Sequence, residues 1–90
     1  MATAIVLLNV EPRETKRTAE TIAAIDGVTE VYSVAGTFDL VAIVRVATEE
    51  KLADLVTEKI RAVPGIVNSQ TLIAFRAFSR FDLDSMFEID

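Results

Sequence analysis

Ninety residues, half of them hydrophobic, make one domain around one core, because chains of this size seldom hold two. Fourteen acids against nine bases leave a net charge of -5, and the Lys and Arg residues are interleaved with Glu and Asp, which argues against the basic face that direct nucleic-acid binding needs. With no cysteine and no histidine, the chain is excluded from disulfide scaffolds, thiolate metal sites, cysteine nucleophiles and imidazole chemistry.

Residues 4–10 are aliphatic and β-branched apart from Asn9, with no helical gap, which predicts a strand buried on both faces. Glu11 and Pro12 close it, since proline cannot donate to a ladder but suits the first turn of a helix. Ala19, Ile22 and Ala23 then recur at helical spacing up to Asp26 and Gly27. Residues 28–35 alternate Val28, Glu30, Tyr32 and Val34 against Thr29, Val31, Ser33 and Ala35, the pattern of a half-polar edge strand.

Gly36, Thr37 and Phe38 turn the chain back into residues 39–46, a third strand that is again apolar on both sides. Thr48 is placed to cap a second helix, with Glu49 and Glu50 at its positive end, Lys59 and Arg61 at its negative end, and Leu52, Leu55, Val56, Ile60 and Val63 as its buried stripe. Pro64 and Gly65 stop that helix. Residues 66–78 read as a long fourth strand, with Val67, Ser69, Thr71, Ile73 and Phe75 on one face and Asn68, Gln70, Leu72, Ala74 and Arg76 on the other.

The order is βαββαβ, and its two halves echo each other, which predicts an α+β, ferredoxin-like sandwich with the first and third strands central and the second and fourth at the edges. Two helices cover one sheet face and leave the other bare. Asn9 and Arg45 alone interrupt the apolar side chains that the central strands give to that bare face, a patch larger than monomers usually expose. A homodimer packed sheet to sheet is therefore expected. The longest apolar runs are too short to span a bilayer and no basic-then-apolar leader opens the sequence, so a cytoplasmic protein without membrane association is expected.

Few segments carry chemistry. In Gly36-Thr37-Phe38-Asp39 the glycine permits close approach, the aspartate can accept from a ligand ammonium and the aromatic ring can wall a pocket. The same residues also suit a plain hairpin in which Asp39 caps its own turn. Ser69 and Thr71 project from one side of the fourth strand and offer two hydroxyls, or simply follow β-propensity. Asp82, Asp84 and Glu88 lack the glycine and the further oxygen of a calcium loop, so no metal is assigned. No Ser-His-Asp set, phosphate-binding glycine loop or carboxylate pair can be assembled, so no catalytic residue and no cofactor is assigned and an enzyme is not expected. Residues 1–78 form the domain. Residues 79–90 form a tail that would dock Phe81, Leu83, Met86 and Phe87 on its own or a neighbouring subunit.

Three stretches resemble a known family. Residues 25–32 (Ile-Asp-Gly-Val-Thr-Glu-Val-Tyr), residues 34–41 with Gly36 and Asp39 spaced Gly-x-x-Asp, and residues 63–67 (Val-Pro-Gly-Ile-Val) followed by Ser69 and Thr71 are similar to the ligand-binding module, or RAM domain, of Lrp/AsnC regulators. The resemblance covers residues 4–78. It implies sheet-to-sheet dimerisation into an α/β barrel, further assembly into rings or octamers, and a small effector, often an amino acid, held where dimers meet. It assigns Gly36 and Asp39 to the hairpin side of that cleft, with Thr37 and Phe38 beside them, and Ser69 and Thr71 to the strand side. Three residues precede the first strand, so the family's helix-turn-helix is expected to be missing, and full-length Lrp/AsnC regulators become candidate partners. Two rival readings are a dimeric α/β-barrel enzyme of the small monooxygenase type, for which Asn9, Tyr32 and Arg45 are the polar candidates, and an assembly module without ligand.

Overall fold

The computed structural model describes residues 1–80. Four strands, β1 (Ala2–Val10), β2 (Val28–Ser33), β3 (Leu40–Val46) and β4 (Ile66–Ala74), form one antiparallel sheet in the order β2-β3-β1-β4. A short 3-10 turn (Pro12–Glu14) leads into helix α1 (Thr15–Ala23), and helix α2 (Glu49–Asp54) follows β3. This is the expected ferredoxin-like arrangement, with β1 and β3 central. The expected docking of Phe81, Leu83, Met86 and Phe87 lies outside the described residues.

Alternation along the central strands builds the core. Ala4, Val6 and Leu8 of β1 pair with Val44, Ala42 and Leu40 of β3, and all six are completely buried. Helix α1 lies mainly against β2 and β3, and α2 against β3 and β1. Ile22, Leu52, Leu55, Ile60 and Val63 complete the cluster from the helical side. The alternate residues form the opposite face: Ile5 is flanked by Ile43 and Leu72, and Leu7 by Val41 and Gln70. No helix lies over that face among the described residues, and none is long and apolar enough to cross a membrane.

Three elements differ from the sequence expectation, each for a physical reason. A bulge between Val28 and Glu30 sets Val28 opposite Val44, so Val28 packs against the core rather than sharing a face with Glu30 and Tyr32. The second helix is capped as expected, Thr48 Oγ1 accepting from the Lys51 amide at 3.1 Å, but it widens into a π-helical segment at Leu55–Ile60. In an ideal α-helix residues five apart sit roughly 140° around the axis. The i→i+5 winding brings them together, and Leu55 and Ile60 are both buried while Val56 is only half-buried. Finally, β4 ends at Ala74 rather than at Phe78. Ala74 pairs with Thr3, next to the first residue of β1, so the β1/β4 ladder runs out there, and Phe75 and Phe78 are 96% and 90% exposed.

Candidate functional site

The loop between β2 and β3 carries four of the six residues expected to bind an effector. Its base is closed by the Val34 amide donating to the Asp39 carbonyl at 2.9 Å. Asp39 then ties the loop to β1 twice: its amide donates to the Leu8 carbonyl at 2.9 Å, and its carboxylate Oδ2 accepts from the Val10 amide at 3.0 Å. The carboxylate therefore does not cap its own turn, as a plain hairpin would have it. It satisfies the end of β1, where the β1/β4 register slips between Asn9 and Val10.

Replacing Asp39 with Ala leaves the half-buried Val10 amide without its acceptor and should cost about 1–3 kcal/mol of stability. Asp39→Asn keeps an acceptor oxygen and should recover most of that. Urea denaturation of the two variants separates them, and equal losses would show that the Val10 bond is not what Asp39 contributes.

Thr37 is held through its carbonyl, which accepts from Asn9 Nδ2 at 2.8 Å. Asn9 Oδ1 in turn accepts from Asn68 Nδ2 at 3.4 Å, across the β1/β4 pair. Gly36 projects at the tip with φ of +132° and, among the described residues, nothing within 4 Å of where a Cβ would stand, and Phe38 is half-buried. The loop thus offers an exposed glycine and one carboxylate oxygen, Oδ1, beyond the one committed to Val10.

Ser69 and Thr71 do not join this loop within one subunit. They pair with Leu8 and Val6 and so point to the helix-bearing side of β4, where Ser69 is exposed and Thr71 half-buried. Their neighbours on that side, Val67 and Ile73, are 63% and 51% exposed, because both helices lie over the other strands. Asp39 and Ser69 flank Leu8 from opposite sides, two strand spacings or about 10 Å apart. No hydrogen bond links the 36–39 loop to Ser69 or Thr71 among the described residues. Two clefts, of about 450 Å³ beside Gly27, Arg45 and Leu55 and about 350 Å³ beside Glu14, Arg17 and Gly65, lie away from both groups.

The polar residues Tyr32 and Asn9 are already engaged. Tyr32 donates its hydroxyl to the Glu30 carboxylate, and that hydrogen bond, with the charge behind it, raises the phenol above its ordinary pKa. Asn9 is committed to Thr37 and Asn68. Sequence reasoning singled out Asn9 as an interruption of the apolar face but not as a support of the loop. The signal was an amide in an otherwise aliphatic strand.

The family model described as the Lrp/AsnC ligand binding domain matches residues 3–82. An uncharacterised HTH-type transcriptional regulator of Pyrococcus furiosus is 40% identical over 76 residues, which are 81% of this chain and 51% of that protein. The chain therefore spans about half the length of the curated relatives it matches. A crystal structure of a Thermus thermophilus protein superposes with a TM-score of 0.82 at 44% identity, covering 89% of this chain and 100% of that one. The feast or famine regulatory protein of M. tuberculosis, in complex with L-methionine, superposes with a TM-score of 0.73 at 28% identity over 88% of this chain and 53% of that one.

Proposed function

The chain belongs to the Lrp/AsnC ligand-binding domain family, and from that membership we propose that it senses an amino-acid effector and couples its binding to self-assembly. The observation that carries this reading is the bare sheet face. Ile5, Leu7, Val41, Ile43 and Leu72 form one apolar surface with no helix over it among the described residues, and a second copy of the same sheet is the occupant with matching chemistry. Two sheets packed together make the dimeric α/β barrel.

The effector site is then completed by assembly. Within one subunit the 36–39 loop and the Ser69 and Thr71 hydroxyls lie on different sides of the sheet end, so the cleft needs one subunit's loop set against the β4 of another in a neighbouring dimer. In that cleft Asp39 meets the effector's ammonium, the exposed backbone around Gly36 meets its carboxylate, and Thr71 adds a hydroxyl. The L-methionine bound by the mycobacterial relative supports the ligand class. A ligand that touches two dimers favours the state in which both are present, so it drives dimers toward an octamer-like ring. Full-length regulators of the family carry the same sheet, and mixed assembly with them connects sensing to transcription.

Calorimetric titration with the twenty amino acids tests the proposal. Saturable heat is expected with one or a few of them, accompanied by growth in assembly size by light scattering. Thr71→Val, which keeps the shape and removes the hydroxyl, should weaken binding by about fivefold to tenfold, the worth of one neutral hydrogen bond. Absence of heat with all twenty would contradict the sensing role.

A further inference from the structure

Two anchors hold the 36–39 loop, and they differ in kind. Asp39 is fixed to the backbone of β1, through the Leu8 carbonyl and the Val10 amide. Thr37 is fixed to a side chain, that of Asn9. Asn9 follows Thr3, Ile5 and Leu7 on the bare face of the sheet, two residues along β1 from Leu7. Its amide is used at both ends, Nδ2 donating to Thr37 and Oδ1 accepting from Asn68, so the chain Asn68, Asn9, Thr37 runs along one end of that face from the edge strand to the loop.

We propose that Asn9 and Asn68 are positioning residues that make the geometry of the 36–39 loop depend on whether a second copy covers the bare sheet face. In a single subunit the Asn9 amide is open to water, which competes for the Thr37 carbonyl, and the bond contributes little. When a second sheet covers the face, water leaves, the same bond strengthens in the drier surroundings, and an unpaired amide there becomes costly. The covered face therefore fixes Thr37, and the open face releases it. By reciprocity, whatever binds the fixed loop tightens sheet-to-sheet association by the same factor. The functional consequence rests on the sensing role proposed above, whereas the tether itself does not.

Asn9→Leu removes the donor, keeps the approximate size and extends the apolar face, so the dimer should persist. In that dimer, with no amino acid present, hydrogen exchange at the Asp39 and Val34 amides should be about tenfold faster than in the unaltered protein. In a single-copy background made by Ile5→Asp, the same substitution should change exchange by less than twofold. Asn68→Ala, which removes only the longer bond, should give a smaller loss in the same direction. Equal effects of Asn9→Leu in the dimeric and single-copy backgrounds, or none in the dimer, would overturn the tether. Failure of the unaltered protein to bind any amino acid would remove the sensing role but leave the exchange result decisive for the tether.

Discussion

Ile5→Asp is expected to convert the assembled protein into a folded single copy. Ile5 stands near the middle of the bare sheet face, with Ile43 on one side and Leu72 on the other. Its chain neighbours Ala4 and Val6 point the other way and are fully buried, so the core does not meet the new carboxylate. In a lone subunit that carboxylate is hydrated and costs little. In a symmetric sheet-to-sheet dimer the change enters twice, and each buried unpaired carboxylate costs several kcal/mol. Even at ~2 kcal/mol each, the dissociation constant rises on the order of a thousandfold. Sedimentation velocity at micromolar concentration, with far-UV circular dichroism to check the fold, reads the outcome. A folded variant that still sediments as a dimer would place the interface elsewhere.

Gly27→Ala is expected to be among the most destabilising single-methyl additions in the chain. Gly27 has φ of +100°, and a Cβ there would stand 2.6 Å from Leu55 Cδ1 and 2.8 Å from Val46 Cγ1. Its carbonyl also accepts from the Arg45 amide at 2.8 Å, which limits retreat of the turn. Leu55 is buried at the start of the π-helical segment, so the clash is passed into the core. Backbone strain of ~1–3 kcal/mol and overpacking of ~1–3 kcal/mol add to a loss of about 2–6 kcal/mol. Gly36→Ala is the matched control. Its φ of +132° carries the strain, but no described residue lies within 4 Å of the added carbon, so the loss should stay near the strain alone. Urea denaturation at one fixed protein concentration compares the two, so that any contribution of the proposed association is the same for both. Equal losses would mean that the Leu55 and Val46 contacts relax freely.

Strand order was legible in the sequence from the βαββαβ succession, and the bare apolar face from β1 and β3 being aliphatic on both sides. Which set faces the helices was not legible in these unbroken apolar runs, and only burial and pairing put Ala4, Val6 and Leu8 in the core and Ile5 and Leu7 on the bare face. The Val28 bulge was not legible, since period-two alternation places Val28 with Glu30 and Tyr32, and only the pairing with Val44 shows the shift. The π-helical segment was hidden for a related reason: Leu55 and Val56 are adjacent and both apolar, so a helical stripe can be drawn through either.

The Gly36 and Asp39 spacing located the loop, but the role of Asp39 in holding it depends on Val10, 29 residues away, and that of Thr37 on Asn9, 28 residues away. Local pattern carries no information about such partners. Ser69 and Thr71 were correctly placed on one side of β4, yet the sequence did not reveal that this side lies beyond the helices.

The claim beneath the barrel, the shared cleft and the sensing role is that a second copy covers Ile5, Leu7, Val41 and Ile43. Sedimentation of the purified, unaltered chain at micromolar concentration addresses it directly. A dimer or a multiple of dimers is predicted, and a well-folded single copy under the same conditions would contradict it.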